Sequence, residues 1–443
     1  MPAAHPTLPL PPPAMDVDVL RQTLASEIRG TGVPPREALP AAPIALPREV
    51  YAELFRAARS LLDLLRRTAL EVAATTEGRL EAFGVSPEDY PLFCDDPVLE
   101  ERYAACMARP DIVIGANGPR FLEFNVSGAV GGAVELHCLY RAWHELYRRT
   151  EDSPPFGFDD PFAGRADLFT DVCTELSLPP RLVWVGSTRD LKHTDSTRYF
   201  DLEMAYLNRR GFDARFLEPE DLHTAWDAPE AERRLLGLRH FTVPEWRDLG
   251  IDSGPVKDAL RHGCLLLAPQ TSSFLANKQC LGLLSEGRPW MSEAERSVVS
   301  RYLPWTRVLG NRPTDHHGRR IDLLKHTVEH REDLVLKAGI GMQGLQVLIG
   351  RDTDPAMWQA RVEEAAEAGG SIVQEHVTGV AVPVFSTPAP GAAPEVTNVV
   401  PVFSPFLFGN HASGVWARYR ADGGEGIVSR EGYGAMENAV VVC

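Results

Sequence analysis

Two oxygen-bearing side chains, Glu123 and Asn125, lie two residues apart in a segment with the alternation of a β-strand. Because side chains along a strand alternate between its two faces, we expect both on one face. Hard oxygen ligands in this arrangement suit Mg²⁺. The alternative interpretation is that both side chains simply lie on an exposed strand face without binding a metal. Arg109 begins the preceding strand of the predicted hairpin and would face the same place. The small-residue loop that holds Gly131 and Gly132 indicates that another group approaches the backbone closely there.

A second group of residues has the chemistry of phosphate binding. Lys337 ends a predicted strand, and a literal GxGxxG follows it at Gly339, Gly341 and Gly344. A dinucleotide-binding loop must open a helix, but residues 345–349 have a β-like composition, so the sequence argues against that site. A glycine loop between two strands can instead fold its backbone N–H groups over a polyphosphate. Taken alone, the loop is better explained as an ordinary glycine-rich hairpin.

Two further segments fit a nucleotide-binding strand edge and a second phosphate ligand. Residues 374–377 end a buried strand, whose backbone edge suits hydrogen bonding to adenine while Glu375 reaches a ribose hydroxyl. Lys278 follows an apolar segment that we predict as a strand. Taken alone, each of Lys278 and Lys337 is better explained as a solvated surface charge. The adjacent His316 and His317 suggest a metal site, but neighbouring strand residues point apart, so a polar loop is the preferred interpretation.

The elements that must position these residues follow from periodicity and capping signals. Apolar residues at helical spacing predict a helix over residues 50–73, and a second helix is predicted over 133–148. Strand–helix–strand alternation over residues 182–216 predicts a small α/β unit with a parallel sheet. Asp354 followed by Pro355 predicts the start of a helix that ends at a Gly-Gly pair.

Composition restricts the classes of function. The chain has 443 residues with 45 Lys+Arg and 61 Asp+Glu, which gives a formal charge of −16. This acidic balance argues against non-specific nucleic-acid binding, and no apolar run is long enough to predict a membrane-spanning helix. The seven cysteines are scattered without a CxxC pair, which fits a reducing cytoplasm. A homodimer is compatible with the sequence, which leaves the oligomeric state open.

Four regions are predicted along the chain. The proline-rich start indicates a disordered tail over residues 1–25. A helical region with the metal-binding strands is predicted over residues 26–155, and an α/β substrate domain over 156–270. The remaining residues, 271–443, are predicted to bind the nucleotide.

The order of these motifs resembles that of a circularly permuted ATP-grasp ligase and is similar to that of glutathionylspermidine synthetase and eukaryotic-type glutathione synthetase. In an ordinary ATP-grasp chain the metal-binding E-x-N follows the nucleotide lysines, whereas here it precedes them. The resemblance extends from about residue 109 to the C-terminus and implies an α+β ATP-grasp fold with a small inserted α/β substrate domain. It is carried by Arg109-Pro-Asp111, Glu123-Phe-Asn125, Ser127, Gly131-Gly132, Asn277-Lys278, Lys337 with its glycine loop, Gln374-Glu375 and Gly414-Val-Trp-Ala-Arg418.

The resemblance also implies a role for each matching residue. The implied roles are phosphate binding by Lys278, Lys337 and the loop residues Gly339, Gly341, Gln343 and Gly344; adenine and ribose binding by Gln374, Glu375 and Val377; Mg²⁺ binding by Glu123 and Asn125; stabilisation of the reacting groups by Arg109 and Arg418; and binding of the carboxylate substrate by Ser127 and Gly128.

The implied reaction is the ATP- and Mg²⁺-dependent joining of a carboxylate to an amine through an acyl phosphate, in the biosynthesis of a peptide-like metabolite. One position departs from the pattern, because Gln343 stands where the family usually has an acidic metal ligand. Two alternatives therefore stay open. One is an ATP-grasp-fold phosphotransferase or ATPase that forms no C–N bond, and the other is a non-catalytic nucleotide-binding protein.

Overall fold

The structure, a computed structural model, describes residues 6–31, 36–191, 197–341, 346–424, 426–428 and 435–443. Its helices are α1 (Val17–Gly30), α2 (Arg48–Glu71), α3 (Thr76–Ala82), α4 (Pro97–Arg102), α5 (Ala133–Arg148), α6 (Pro161–Leu176), α7 (Arg198–Arg209), α8 (Val243–Asp248), α9 (Gly254–Arg261), α10 (Ser272–Ala276), α11 (Lys278–Glu286), α12 (Glu293–Tyr302), α13 (Leu323–Glu329) and α14 (Pro355–Ala368).

The strands form several separate sheets. They are β1 (Leu39–Pro40), β2 (Ile44–Leu46), β3 (Met107–Gly115), β4 (Gly118–Val126), β5 (Arg181–Val185), β6 (Asp213–Leu217), β7 (Leu236–Arg239), β8 (Leu265–Leu267), β9 (Thr306–Val308), β10 (Pro313–His316), β11 (Arg319–Asp322), β12 (Leu334–Ala338), β13 (Val347–Ile349), β14 (Ser371–Glu375), β15 (Val382–Thr387), β16 (Glu395–Val399), β17 (Val402–Phe408), β18 (His411–Tyr419) and β19 (Met436–Val442).

The largest sheet carries the predicted metal-binding strand at one edge. Its six strands lie in the order β2-β19-β18-β17-β3-β4, antiparallel except for the parallel pair β19–β2. The predicted hairpin is confirmed, with Gly115 opposite Gly118 across a two-residue turn. Helix α2 packs against β4 and β17, whereas α5 and α6 contact β18, so helices cover both faces of the sheet. The apolar residues of both faces are thereby removed from water.

A four-stranded antiparallel sheet, in the order β13-β12-β14-β9, carries the predicted phosphate-binding strand. The two predicted strands on either side of the glycine loop are confirmed, since Leu336 of β12 pairs with Leu348 of β13, while loop residues 342–345 lie outside the described residues. The predicted helix is also confirmed, because the Asp354 carboxylate caps α14 with Pro355 in its first turn. Trp358 of α14 is buried against this sheet and anchors the helix to it.

The predicted α/β unit is present as a parallel sheet in the order β6-β5-β7-β8. Such sheets need crossover connections, and α7 joins β5 to β6 while α8 and α9 join β7 to β8. Residues 182–185 of β5 and all of β8 are buried and apolar, as expected when helices cover both faces, whereas the edge strand β6 exposes Asp213 and Arg215. Smaller sheets complete the fold, with β15 pairing β1 on one side and β16 on the other, and β10 pairing β11 in a hairpin.

The N-terminal segment differs from the disordered tail predicted over residues 1–25. Within the described part, the Asp16 side chain caps helix α1, and Leu20 and Leu24 of that helix are buried against α5. The Arg21 guanidinium also donates to the Thr387 carbonyl oxygen at 3.0 Å. The prediction of a disordered tail rested on the high proline content before residue 14 and overlooked the helix that follows, whose apolar residues are spaced four apart.

In the part of the chain that the structure describes, no helix is both long and apolar enough to cross a membrane.

Candidate functional site

The candidate site lies at the seam between the six-stranded sheet and the β12–β14 sheet. Lys337 of β12 donates from Nζ to the Gln374 Oε1 atom of β14 at 2.7 Å and to the Leu122 carbonyl oxygen of β4 at 3.2 Å. The Gln374 amide donates in turn to the Leu122 carbonyl oxygen and to Thr306 Oγ1. These bonds bring the predicted phosphate-binding lysine to the strand that carries Glu123.

Lys278 reaches the same seam from a different element than predicted. It is the first residue of α11, so the apolar segment before it, predicted as a strand, is helical and forms α10. The Lys278 Nζ atom lies 3.3 Å from Glu123 Oε2 and 3.2 Å from the Gly341 carbonyl oxygen. Its backbone N–H donates to the Gly339 carbonyl oxygen at 2.8 Å. Helix α11 therefore fixes both the lysine and the start of the glycine loop.

The predicted oxygen ligands occupy one face of β4. Glu123 and Asn125 are both partly exposed, while Phe121 and Phe124 are buried on the opposite face. A β-bulge at Leu122 shifts the alternation by one residue, because Asp111 lies opposite Glu123 while the next residue, Ile112, lies opposite Phe121. Phe121 therefore lies on the buried face although it is two residues from Glu123. The Asn125 amide donates from Nδ2 to the Arg109 carbonyl oxygen, which orients its side chain on this face.

An acidic residue that the sequence analysis did not assign to the site joins the two predicted arginines. The Asp111 carboxylate lies 2.7 Å from the Arg418 guanidinium and 3.7 Å from that of Arg109, and it accepts a hydrogen bond from Ser404. The indole of Trp416 lies beside both guanidinium groups. Asp111 sits two residues after Arg109 on β3, so the period of two could have revealed it.

Burial sets the electrostatics of the seam. Desolvation lowers the pKa of Lys337 to about 8, even though the nearby Glu123 carboxylate favours its charged form. Burial also lowers the pKa of Arg109. For Asp111, burial alone would raise the pKa, but the charges of Arg418 and Arg109 outweigh it and hold the pKa well below its usual range. Asp111 thus stays ionised and fixes the arginine pair.

The glycine loop begins with a close backbone contact. A Cβ atom on Gly339 would lie 2.3 Å from the Gly370 carbonyl oxygen and 2.8 Å from Asn277 Oδ1, so no larger residue fits. At Gly341 the carbonyl oxygen meets Lys278. The predicted loop residues Gln343 and Gly344 lie outside the described residues.

The end of β14 carries more contacts than predicted. Glu375 Oε1 lies 3.1 Å from His316 Nε2 and 2.7 Å from His317 Nε2. The other carboxylate oxygen accepts the backbone N–H of Trp305 at 3.3 Å. Both oxygens of Glu375 therefore have protein partners, and its predicted contact with a ribose would have to share them. Val377 follows the strand outside the ladder.

The two predicted carboxylate-binding residues have different surroundings. Ser127 is partly exposed, and its hydroxyl accepts the backbone N–H of Ala129 at 3.0 Å. Gly128 is buried, and a Cβ atom there would lie 2.4 Å from the Arg239 carbonyl oxygen and 2.6 Å from that of Leu267. Gly128 thus serves close packing against the parallel sheet. Its role toward a substrate stays a prediction.

The adjacent glycines Gly131 and Gly132 lie against Arg109 and Trp416. Gly132 has a positive φ of 92° and begins α5, and a Cβ atom on it would overlap the ring of Trp416. Arg109 donates to the Gly131 carbonyl oxygen at 2.6 Å. The predicted close approach at this loop is therefore an approach by protein side chains.

The described residues suit a polyphosphate with a divalent cation. The seam carries an excess of positive charge, because four cationic side chains lie there with only two carboxylates among the described residues. The cations are Lys278, Lys337, Arg109 and Arg418, and the carboxylates are Glu123 and Asp111. The buried Nε atoms of Arg109 and Arg418 also have no hydrogen-bond partner. Buried donors without acceptors are costly, and an anionic ligand would satisfy them.

Comparison with solved structures identifies the overall fold. A glutathione synthetase-like effector from Globodera pallida, in its apo form, superposes with a TM-score of 0.54 at 12% identity, covering 97% of this chain and 98% of that one. The fold is of the glutathione synthetase-like, ATP-grasp type. A candidate gamma-glutamylcysteine synthetase from Methylobacillus flagellatus KT has a TM-score of 0.39 at 14% identity, with coverage of 82% and 83%. Neither the protein-family profiles nor the curated protein sequences match this chain.

Proposed function

We propose that the protein is an ATP- and Mg²⁺-dependent carboxylate–amine ligase of circularly permuted ATP-grasp type, with the parallel-sheet unit as an inserted substrate domain. The observation that carries the proposal is the convergence of Lys278, Lys337 and Glu123 at one seam beside the Arg109–Asp111–Arg418 cluster. A binding site for neutral metabolites would not need four buried cations, whose desolvation costs stability unless an anion compensates it.

In this proposal the lysines bind the ATP phosphates. Lys337 approaches from strand β12 and Lys278 from the start of helix α11, so together they hold the phosphate chain across the seam. Glu123 and Asn125 supply a carboxylate and an amide oxygen to Mg²⁺, which prefers to keep its remaining positions for phosphate oxygens and water. Backbone groups at Gly339 and Gly341 form the start of a loop that closes over the phosphates, with Gln343 and Gly344 beyond it.

The proposed chemistry forms and then consumes an acyl phosphate. The substrate carboxylate oxygen attacks the γ-phosphorus of ATP, and the bond to the β-phosphate oxygen breaks to release ADP. The amine nitrogen then attacks the acyl carbon, phosphate leaves, and the nitrogen loses a proton. Arg109 and Arg418 are placed to stabilise the negative charge on the reacting oxygens, while Asp111 and Trp416 hold them in position.

The remaining assignments follow the same scheme. Gln374, Glu375 and Val377 would contact the adenine and ribose, and Ser127 and Gly128 would lie beside the carboxylate substrate. The acid and the amine are small molecules, and the product is a peptide-like metabolite made in the cytoplasm. We also propose that the chain works without nucleic acid or membrane, as a monomer or homodimer.

The test is the release of ADP and phosphate from Mg-ATP, measured against a panel of amino acids, short peptides and amines. The proposal predicts turnover that requires an acid and rises with a particular amine. ADP release that is complete without any amine would favour the phosphotransferase or ATPase alternative. Saturable ATP binding without turnover for any pair would favour the nucleotide-binding protein, for which the neutral Gln343 is the sequence argument.

A matched pair of variants adds a control to that assay. Arg418→Gln should reduce turnover at least about 100-fold, because removing one positioned charge-stabilising donor costs about that much. Arg420→Gln, two residues along the chain, removes a partly exposed guanidinium that hydrogen-bonds to the neighbouring Asp422, and this variant should leave turnover unchanged. Equal turnover in the two variants would contradict the role of Arg418.

A further inference from the structure

A cluster of metal-ligating side chains lies at the turn of the β10–β11 hairpin, beyond the phosphate-binding seam. The Nε2 atoms of His316 and His317 both face Glu375 Oε1, at 3.1 and 2.7 Å. The three ligand atoms all lie within 4.8 Å of one another. Among the described residues this is the one group of three or more His, Cys, Asp or Glu side chains with such convergence.

The backbone explains why two adjacent histidines point to the same place. His317 has a φ of 49°, in the left-handed region that residues other than glycine rarely adopt. This conformation breaks the alternation of the strand, so the His317 ring turns to the same side as that of His316. The sequence-based preference for a polar loop assumed that neighbouring side chains diverge, and the positive φ removes that assumption.

Other contacts fix the ligand directions. The His316 ring packs edge-on against Trp305, with centroids 4.9 Å apart. The Trp305 indole N–H and the Arg307 guanidinium both donate to the Asp315 carbonyl oxygen, at 2.9 and 3.0 Å, which anchors the turn. The Trp305 backbone N–H holds the second oxygen of Glu375. Such outer contacts orient the ligands of metal sites.

We propose that His316, His317 and Glu375 bind one divalent transition-metal ion of the Zn²⁺ class through Nε2, Nε2 and Oε1. Tetrahedral coordination with bonds of about 2.0–2.2 Å places ligand atoms about 3.4 Å apart. The present separations from Glu375 Oε1 are slightly shorter, so small side-chain rotations suffice to admit an ion.

The ligand types define the class of ion. Imidazole nitrogens suit Zn²⁺ and its neighbours among the transition metals, whereas Mg²⁺ and Ca²⁺ prefer oxygen-only ligands. Three protein ligands leave a coordination position open for water or another molecule. The ion is therefore chemically distinct from the Mg²⁺ proposed at Glu123 and Asn125. The site shares Glu375 with the proposed nucleotide-binding residues, so ion binding is tested in the absence of nucleotide and of turnover.

The experiment is a titration of the full chain with Zn²⁺ by calorimetry and with Co²⁺ by visible absorption, without nucleotide. We expect one ion per chain, with visible Co²⁺ bands typical of nitrogen and oxygen ligands. His317→Ala should weaken binding at least about 10-fold, since even the loss of an outer contact costs that much. The His317 side chain is 68% exposed, so its removal should leave the fold intact.

His411→Ala is the matched control. His411 also pairs with a carboxylate, that of Asp171 at 2.8 Å, but the pair offers only two ligands. This variant should bind Zn²⁺ as the wild-type protein does. The proposal is overturned if the wild-type chain binds no stoichiometric ion, if His317→Ala binds as tightly as wild type, or if an intense near-ultraviolet thiolate band places the Co²⁺ on a cysteine.

Discussion

The residues of the seam combine burial with an excess of positive charge. Lys278 and Lys337 are each less than one-tenth exposed, yet among the described groups Lys278 has a single carboxylate partner, Glu123, and Lys337 hydrogen-bonds to neutral oxygens. The sequence identified both lysines and Glu123 because their types and order match a known pattern. The period of two places Asp111 on the same face as Arg109, but the sequence did not show the pairing of Asp111 with Arg418, because contacts with a distant strand are not visible in residue types.

The lowered pKa of Lys337 predicts a pH dependence of ATP binding. Phosphate binding needs the ammonium form, and burial brings the pKa down to about 8. Below that pH the lysine is charged in the free protein. Above it, binding must take up a proton, so the Kd for Mg-ATP should rise about tenfold per pH unit. Calorimetric titrations between pH 7.5 and 9.5 measure this rise.

Lys337→Arg serves as the control for that profile, because a guanidinium stays charged across the whole range. Its affinity, even if weaker at pH 7.5, should not fall further toward pH 9.5. A wild-type profile as flat as that of the variant would contradict the position of Lys337 at the phosphates.

The role of Glu123 predicts a change in the Mg²⁺ requirement. Glu123→Gln keeps the shape of the side chain but removes the charge that attracts the cation, so the Mg²⁺ concentration for half-maximal ATP binding should rise at least about tenfold. Glu395→Gln, on the exposed face of β16, is the matched control and should leave that concentration unchanged. Equal Mg²⁺ midpoints for the two variants would remove Glu123 from the metal site.

At the scale of elements, local signals were sufficient wherever they were strong. The Asp354-Pro355 cap, the strand pair around the glycine loop and the helix over residues 50–73 were all predicted and are present. The prediction of a strand for the short apolar segment before Lys278 was wrong, because periodicity alone cannot distinguish a short buried strand from a buried helix. The polar loop preferred at His316 and His317 agrees with the turn between β10 and β11, but the convergence of the two rings was not foreseen, because a positive φ is not visible in the pattern of residue types.

Substitutions in helix α1 test whether this segment is a docked helix or a disordered tail. Leu24 is fully buried in the core against α5, so Leu24→Ala should lower the free energy of unfolding by about 2–5 kcal/mol. Val19 of the same helix is 41% exposed, and Val19→Ala should have little effect. Urea unfolding followed by far-ultraviolet circular dichroism compares the two. Similar small effects in both variants would contradict the docking of α1.

At the scale of the whole molecule, segments that are distant in sequence assemble the seam. Arg109 and Glu123 come from the β3–β4 hairpin, Lys278 from a helix, Lys337 from the second sheet, and Arg418 from the late strand β18. The predicted hairpin already placed Arg109 near Glu123, but only the resemblance in motif order added Lys278, Lys337 and Arg418, because spacing carries no information on contacts across so many residues. The overall fold, shared with a glutathione synthetase-like protein at 12% identity, agrees with that resemblance.

The central claim is that this seam binds Mg-ATP, and a calorimetric titration of the full chain tests it most directly. We expect one ATP per chain in the presence of Mg²⁺. Lys337→Met should weaken binding at least about 100-fold in a protein that remains folded, while Lys325→Met, which removes an exposed lysine of α13, should bind as wild type does. Absence of ATP binding to the wild-type protein, or equal binding by Lys337→Met, would contradict the account.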